Sequence, residues 1–337
     1  MKTRKTDGNA TRLIFEVGAR VQMEDMPLPE RPRPYGVVLQ SVYSLVNSGT
    51  DLAKLKQLEA KADIGEPQRI VPTGVVMGRV VEAGPAVSAV CPKIAPGNWV
   101  IAKGPHASHL QLNVLTDDLV AFGADRPPLH FLLARYANVA ASGMRSLGGL
   151  DGGSVAVIGL GPLGHICMRL LGHQGQNRLF GIDRHAYRRA ALANARPGLW
   201  TLRDRLPEAE AFDAIVLAAP LGAAPDQYLE RLRPRGRLIL LAAPSAAATI
   251  DLADAFSRSL SIDAFHERET GLMQWGGSTT DRVETPVASG IRVLSELATS
   301  LKWPLENFVY PDRVKKNLYS TLCEKSGRVF LIMSWCD

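Results

Sequence analysis

The chain has 337 residues, 46% of them hydrophobic, enough for two domains with sizeable cores. Its net charge of +6 comes from 39 Lys+Arg against 33 Asp+Glu, with the arginines scattered and no nucleic-acid-binding motif beside them, so no nucleic-acid partner is expected. No apolar run is long enough to span a bilayer, and the basic start MKTRKTDGNATR has no apolar stretch behind it, so a cytoplasmic protein with no membrane partner is expected.

The first third reads as strands and turns. RLIFEV, ARVQMEDMPLP and YGVVLQSVYSLV alternate in hydrophobicity, and Pro27, Pro29, Pro32 and Pro34 mark a loop between them. DLAKLKQLEAKA has helical spacing without a breaker. GVVMGRVVEAG and GNWVIAKG are again strand-like, separated by GPAVSAVCPKIAPG. Many short strands predict a β-rich, barrel-like core.

From about Leu132 the texture changes. FLLARYANVAASGMRSL predicts a helix, and GGSVAVIGLGPLGHICMRLLGHQG a strand, a glycine turn and a helix. RLFGID is the next strand and AYRRAALANA the next helix. FDAIVLAA, GRLILLAA and LSIDAF are three further apolar strands. Apolar strands alternating with helices predict a parallel, doubly wound α/β sheet. Near the end, DRVKKNLYSTLCEKSGRVFLIMSW reads as helix, turn and strand returning to the first domain.

Within the first strand–turn–helix lies Gly159-Leu160-Gly161-Pro162-Leu163-Gly164. A GxGxxG between an apolar strand and an amphipathic helix is a dinucleotide fingerprint. Gly159 permits the tight turn, Gly161 the approach of backbone to pyrophosphate, and Gly164 close helix packing, with the helix N-terminus facing the anion. Asp183 ends the second strand, where a carboxylate accepts hydrogen bonds from the adenosine ribose and disfavours a 2′-phosphate. That favours NAD(H). Arg184 and Arg188 keep NADP(H) open, because arginines there accommodate a 2′-phosphate.

With those elements in that order, the chain resembles the medium-chain dehydrogenase/reductases, the alcohol dehydrogenase superfamily. YSLVNSGTDL is similar to a stretch of its zinc-lacking branch, which includes bacteriochlorophyllide dehydrogenase-like and sugar or cyclitol dehydrogenase-like proteins. The resemblance implies a GroES-like β-rich catalytic domain over residues 1–137 and 303–337, and a Rossmann domain over 138–302. It implies a homodimer and a small-molecule substrate. It also implies Ser142 beside the nicotinamide, Arg328 at the pyrophosphate, and Ala219 and Ala242, with Ala218 and Ala243, at the strand ends that leave room for cofactor.

Zinc members of the family supply a Cys, a Gly-His-Glu element and a third Cys or Asp. Here the first ligand falls on Ser48, Gly-His-Glu falls on Gly74-Val75-Val76, and the third falls near Asn138. The four cysteines, Cys91, Cys167, Cys323 and Cys336, form no CxxC pair and no four-cysteine lobe. A catalytic zinc needs three ligating side chains and an open position, so no zinc is expected.

Without metal, hydrogen-bond donors or a general acid must stabilise the developing alkoxide. Thr50 matches the family's proton-relaying hydroxyl; a turn or capping threonine is the competing reading, shared by Asp51. Ser48 could bond the substrate oxygen. His106, after a strand in KGPHASH, titrates near neutrality, although a lone histidine is more often structural. Tyr43 is a phenolic candidate that a core role rivals. Trp275 and Met273, in HERETGLMQWGGSTTDR, suit a pocket wall or a subunit contact. The expected function is a zinc-independent NAD(P)(H) oxidoreductase interconverting a secondary alcohol and a ketone on a sugar, cyclitol or similar polar metabolite. The alternatives are an NADPH-dependent reductase of an activated C=C or C=N bond and a non-catalytic NAD(H)-binding protein.

Overall fold

The structure is a computed structural model that describes residues 9–18, 20–60, 68–148, 152–195, 198–220, 226–243, 250–266, 285–297, 303, 305, 308–310 and 328–335. The chain divides into two compact units, Met1–Leu133 with Pro304–Asp337, and Ala134–Trp303.

The first unit opens with β1 (Asn9–Glu16) and β2 (Arg20–Pro27), an antiparallel pair. β3 (Gly36–Leu45) follows the proline-rich loop and is buried along almost its whole length, as its valines and leucines require. Then come α1 (Ser48–Ala60), β4 (Arg69–Ile70), β5 (Thr73–Ala83), a short α2 (Val87–Val90) and β6 (Trp99–Pro105). β7 (His109–Asn113) and β8 (Leu119–Gly123) complete the run, followed by a 3-10 turn at Leu129–Leu133. β3 pairs antiparallel with β5 and β7, β5 with β6, and β6 with β8. Val37, Leu39, Val76, Val80, Val100 and Leu110 pack inside this curled sheet. Leu13, Phe15, Val46, Leu55 and Leu58 form a second cluster, which seats α1 on β1.

The second unit starts with α3 (Ala134–Arg145) and β9 (Ser154–Ile158), then α4 (Pro162–His173), β10 (Arg178–Ile182), α5 (Ala186–Ala195) and β11 (Thr201–Arg203). β12 (Phe212–Leu217), α6 (Asp226–Leu229), β13 (Leu232–Leu240), α7 (Leu252–Ser257), β14 (Ser261–Ala264) and α8 (Pro286–Leu297) follow. All six strands of its sheet run parallel, in the order β11-β10-β9-β12-β13-β14. Numbered within the unit this is 3-2-1-4-5-6, the doubly wound Rossmann order, and it reverses direction at β9. Ala156, Ile215, Leu217 and Leu238 are buried on one face. α3 and α8 approach closely, because a Cβ on Gly290 would land on the Ala134 backbone.

The first unit is completed by β15 (Phe308–Val309) and β16 (Ile332–Ser334), with β16 antiparallel to β3. The α/β class, the β-rich unit and the Rossmann sheet match the sequence reading. The short strands β7, β8 and β11 and the helix α2 were not singled out in it. The helix expected from Asp312 and the HERETGLMQWGGSTTDR segment with Met273 and Trp275 lie outside the described residues. No helix among the described residues is long and apolar enough to cross a membrane.

Candidate functional site

The glycine turn lies at the carboxyl end of β9, where the strand order reverses and ligands of such sheets bind. Its three glycines have different physical reasons. Gly159 has φ +89°, a left-handed conformation, and a Cβ there would sit 2.5 Å from the Ala219 Cβ. A Cβ on Gly164 would land on the Gly159 carbonyl oxygen, so α4 can pack on the turn only without it. Gly161 is unlike both. Its φ of −70° and ψ of −170° suit any residue, and the nearest atom to a Cβ built there is Arg188 Nη1 at 4.0 Å. Neither backbone nor packing requires glycine at 161. The missing side chain instead keeps clear the approach to the α4 N-terminus, where amide N–H groups and the helix dipole favour an anion. Pro162 takes the first helical position, Leu160 is fully buried and Leu163 is half-buried.

Asp183 is the hub of the turn. Its Oδ2 accepts the Leu160 amide at 2.8 Å and Arg188 Nη1 at 3.0 Å. Its Oδ1 accepts the His185 amide at 2.8 Å and lies 2.9 Å from His185 Nδ1. Burial opposes ionisation of this carboxyl, but the His185 amide, the Arg188 charge and the Leu160 amide outweigh it and hold the pKa below the usual value. The sequence reading gives these oxygens to the ribose; in the structure the protein already uses both. Arg189 donates to the Asp183 carbonyl, and Arg184 is exposed. His165, buried on α4, places Nε2 3.3 Å from the Arg188 carbonyl. Burial, aided by the charge of Arg169, lowers its pKa to about 3, so it braces Arg188 as a neutral ring.

Ala218 and Ala219 follow β12, and Ala242 and Ala243 follow β13, at the same edge of the sheet. Ala219 and Ala242 are half-buried. Ser142, expected beside a nicotinamide, has protein partners within its own helix. It is buried in α3, donates to the Asn138 carbonyl at 3.0 Å and accepts from Arg145 Nη2 at 2.9 Å, so its hydroxyl is used within the helix. Arg328 is exposed just before β16 in the other unit.

The catalytic candidates all lie in the β-rich unit. His106 follows β6 directly, as the sequence indicates, and its side chain is 0% exposed. Gly74 makes room for it, since a Cβ there would lie 2.6 Å from His106 Cε1. Its Nδ1 is 2.9 Å from Ser44 Oγ, which also accepts Trp335 Nε1–H at 3.0 Å. With Ser44 donating to Nδ1, the ring proton sits on Nε2, the side that faces Asp51 Oδ2 at 3.9 Å. Asp51 is itself fully buried. It accepts the Asn47 amide at 3.1 Å and returns its own amide to the Asn47 carbonyl at 2.8 Å, a reciprocal cap on the start of α1. Lys54 lies 3.7 Å from its other oxygen, and Asn47 Nδ2 donates to the Thr73 carbonyl at 2.7 Å, tying α1 to β5.

The capping work therefore belongs to Asp51, and Thr50 is left exposed on the first turn of α1, beside half-buried Ser48. Tyr43 is half-buried on β3 with the Arg126 guanidinium 5.2 Å from its ring centre. Ser44, Asn47 and Trp335 were missed in the sequence. The available signal was the strand alternation that sends Ser44 to the face opposite Tyr43, although nothing in it named His106 as the partner.

Among the described residues, the positions aligned with zinc ligands do not form a donor set. Val75 and Val76 are buried apolar side chains of β5, and Asn138 is buried within α3. Asp51 and His106 are two hard or borderline donors where a catalytic zinc takes three side chains. Among the described residues, the side chains at these positions do not fit the metal.

The β-rich unit and the 3-2-1-4-5-6 parallel sheet together are the fold of the medium-chain, alcohol dehydrogenase-type dehydrogenases. An oxidoreductase/dehydrogenase of unknown specificity from Escherichia coli matches with a TM-score of 0.75 at 11% identity, over 97% of this chain and 99% of that one. Acetophenone reductase from Geotrichum candidum, solved with NAD, matches with a TM-score of 0.71 at 16% identity, over 98% of each chain. At such identities the likeness is one of fold. In sequence, the L-threonine 3-dehydrogenase of Bacillus velezensis is 29% identical over 170 residues, so the chain matches about half the length of that relative, 47% of it. No protein-family model matches the chain.

Proposed function

We propose that the protein is an NAD(P)(H)-dependent oxidoreductase that interconverts a secondary alcohol and a ketone on a polar metabolite, without a catalytic zinc and as a homodimer. The observation that carries this reading is Gly161, a glycine that neither backbone nor packing requires, open at the N-terminus of α4. Its amide and those of the first turn of α4 would hold the pyrophosphate, with Arg188 beside them. The bound nicotinamide would supply or accept the hydride. The relatives' names favour carbonyl chemistry: acetophenone is a ketone, and carbon 3 of threonine carries a secondary hydroxyl.

The rest of the reaction falls to hydroxyl groups. Thr50 can take the substrate's hydroxyl proton while releasing its own to solvent, to which it is exposed, so it relays a proton without holding charge. Ser48, two residues before it at the start of α1, can donate to the substrate oxygen and stabilise developing alkoxide charge. His106 and Asp51 act behind them, fixing the start of α1 on which both hydroxyls sit. Turnover is tested with a panel of polyols, hydroxy acids and their ketones, with NAD(P)H absorbance as the readout. Thr50→Val is expected to lower kcat about 10²-fold or more, in the range of a lost proton-transfer step, with cofactor affinity retained. Full activity in that variant, or stoichiometric zinc in the purified protein, contradicts the scheme.

A further inference from the structure

The acidic residue that normally selects NAD(H) is not available to a ribose here. A carboxylate offers about four lone-pair sites. In Asp183 four donors already occupy them: the Leu160 and His185 amides, His185 Nδ1 and Arg188 Nη1. Two of these are backbone amides fixed by the turn itself. The side chain is 3% exposed, so ribose hydroxyls could bond it only by displacing protein donors.

The charge balance at the same spot is reversed. Asp183 is the one carboxylate in the sequence from 183 to 203, and Arg184, Arg188 and Arg189 follow it directly. Arg188 neutralises it, and Arg189 is turned to its carbonyl. Arg184 remains exposed at the strand end. Arg188 keeps 29% of its side chain exposed and stands over the open face of Gly161, with His165 bracing its carbonyl and Tyr187 Oη accepting its Nε–H at 3.2 Å. Its Nη2 takes part in none of these bonds. A planar guanidinium held in this way suits a phosphate.

On the dehydrogenase reading above, we infer that the adenosine end of the site selects NADP(H) over NAD(H), with Arg188 and Arg184 meeting the 2′-phosphate and Asp183 serving as a positioning residue that latches the glycine turn. The carboxylate does not repel the extra phosphate, because its charge is compensated before the cofactor arrives. Hydrogen bonds to a charged group are worth roughly ten- to a hundredfold in affinity, and that is the preference expected.

The test is direct titration of the purified full chain with NADPH and with NADH, followed by nucleotide fluorescence or calorimetry. NADPH is expected to bind at least about tenfold more tightly, a margin one charged contact supplies. Arg184→Gln and Arg188→Gln should each weaken NADPH binding by a larger factor than NADH binding, because only NADPH carries the 2′-phosphate. Equal or tighter binding of NADH by the unaltered protein, together with its selective loss in Asp183→Asn, overturns the inference and returns the carboxylate to the ribose. If neither nucleotide binds, the dehydrogenase reading itself fails and takes the inference with it.

Discussion

The two polar clusters of this protein are built from similar parts and do opposite things. In the Rossmann unit, Asp183, His185 and Arg188 surround a glycine turn that is open at Gly161. In the β-rich unit, Asp51, His106, Ser44 and Asn47 form an equally dense network, but Asp51 and His106 are wholly buried. A carboxylate beside a histidine is therefore no mark of a reactive site in itself. What separates the two is whether a neighbouring position carries a residue that the fold does not need. Gly161 is such a position. Gly74, the corresponding glycine beside His106, is filled by the imidazole.

Substitutions can break this contrast. The largest effect is expected for Gly164→Ala, whose Cβ would meet fixed backbone on the Gly159 carbonyl. Overpacking against backbone predicts a loss of about 3 kcal/mol and of nucleotide binding together, measured by denaturant unfolding and titration. Asp51→Ala comes next. It removes the α1 cap and the partner of His106, so a loss of about 2 kcal/mol is expected, with nucleotide affinity unchanged. If Asp51→Ala instead weakened nucleotide binding at full stability, the closed cluster would have been misassigned.

His165 gives a smaller, pH-dependent signal. Its pKa is about 3 in the folded protein, against about 6.5 unfolded. Between these values the unfolded chain binds more protons. Its contribution is thus fully present above about pH 6.5 and is lost as pH falls towards 3, at up to about 1.4 kcal/mol per pH unit. His165→Gln should flatten that slope between pH 4 and 6 by roughly this amount, as read from chemical denaturation.

Much of the Rossmann unit was legible because its signals are backbone signals. Apolar strands, the GxGxxG spacing and an acid at the end of the second strand constrain conformation directly, and the strands fall where those patterns lie. What was not legible was which donors each carboxylate would meet. Asp183 reads as a ribose acceptor, and the sequence does not show that Arg188, five residues on and in the first turn of α5, is bonded to it. Ser142 reads as a cofactor contact until Asn138 and Arg145 are seen using its hydroxyl. His106 reads as a lone titratable group until Ser44, itself bonded to Trp335, is seen against its Nδ1. These contacts share one origin: a side chain's partners can be distant in sequence, and motif spacing does not report them.

The central claim is that Gly161 is kept for a ligand and not for the fold. Gly161→Ala tests it most directly, since its backbone angles suit alanine and its Cβ would find no protein atom closer than 4.0 Å. The account predicts unfolding stability within about 0.5 kcal/mol of the unaltered protein, or slightly higher, with NAD(P)H affinity at least about tenfold weaker. Unchanged nucleotide affinity, or a loss of stability comparable to that of Gly164→Ala, would contradict it.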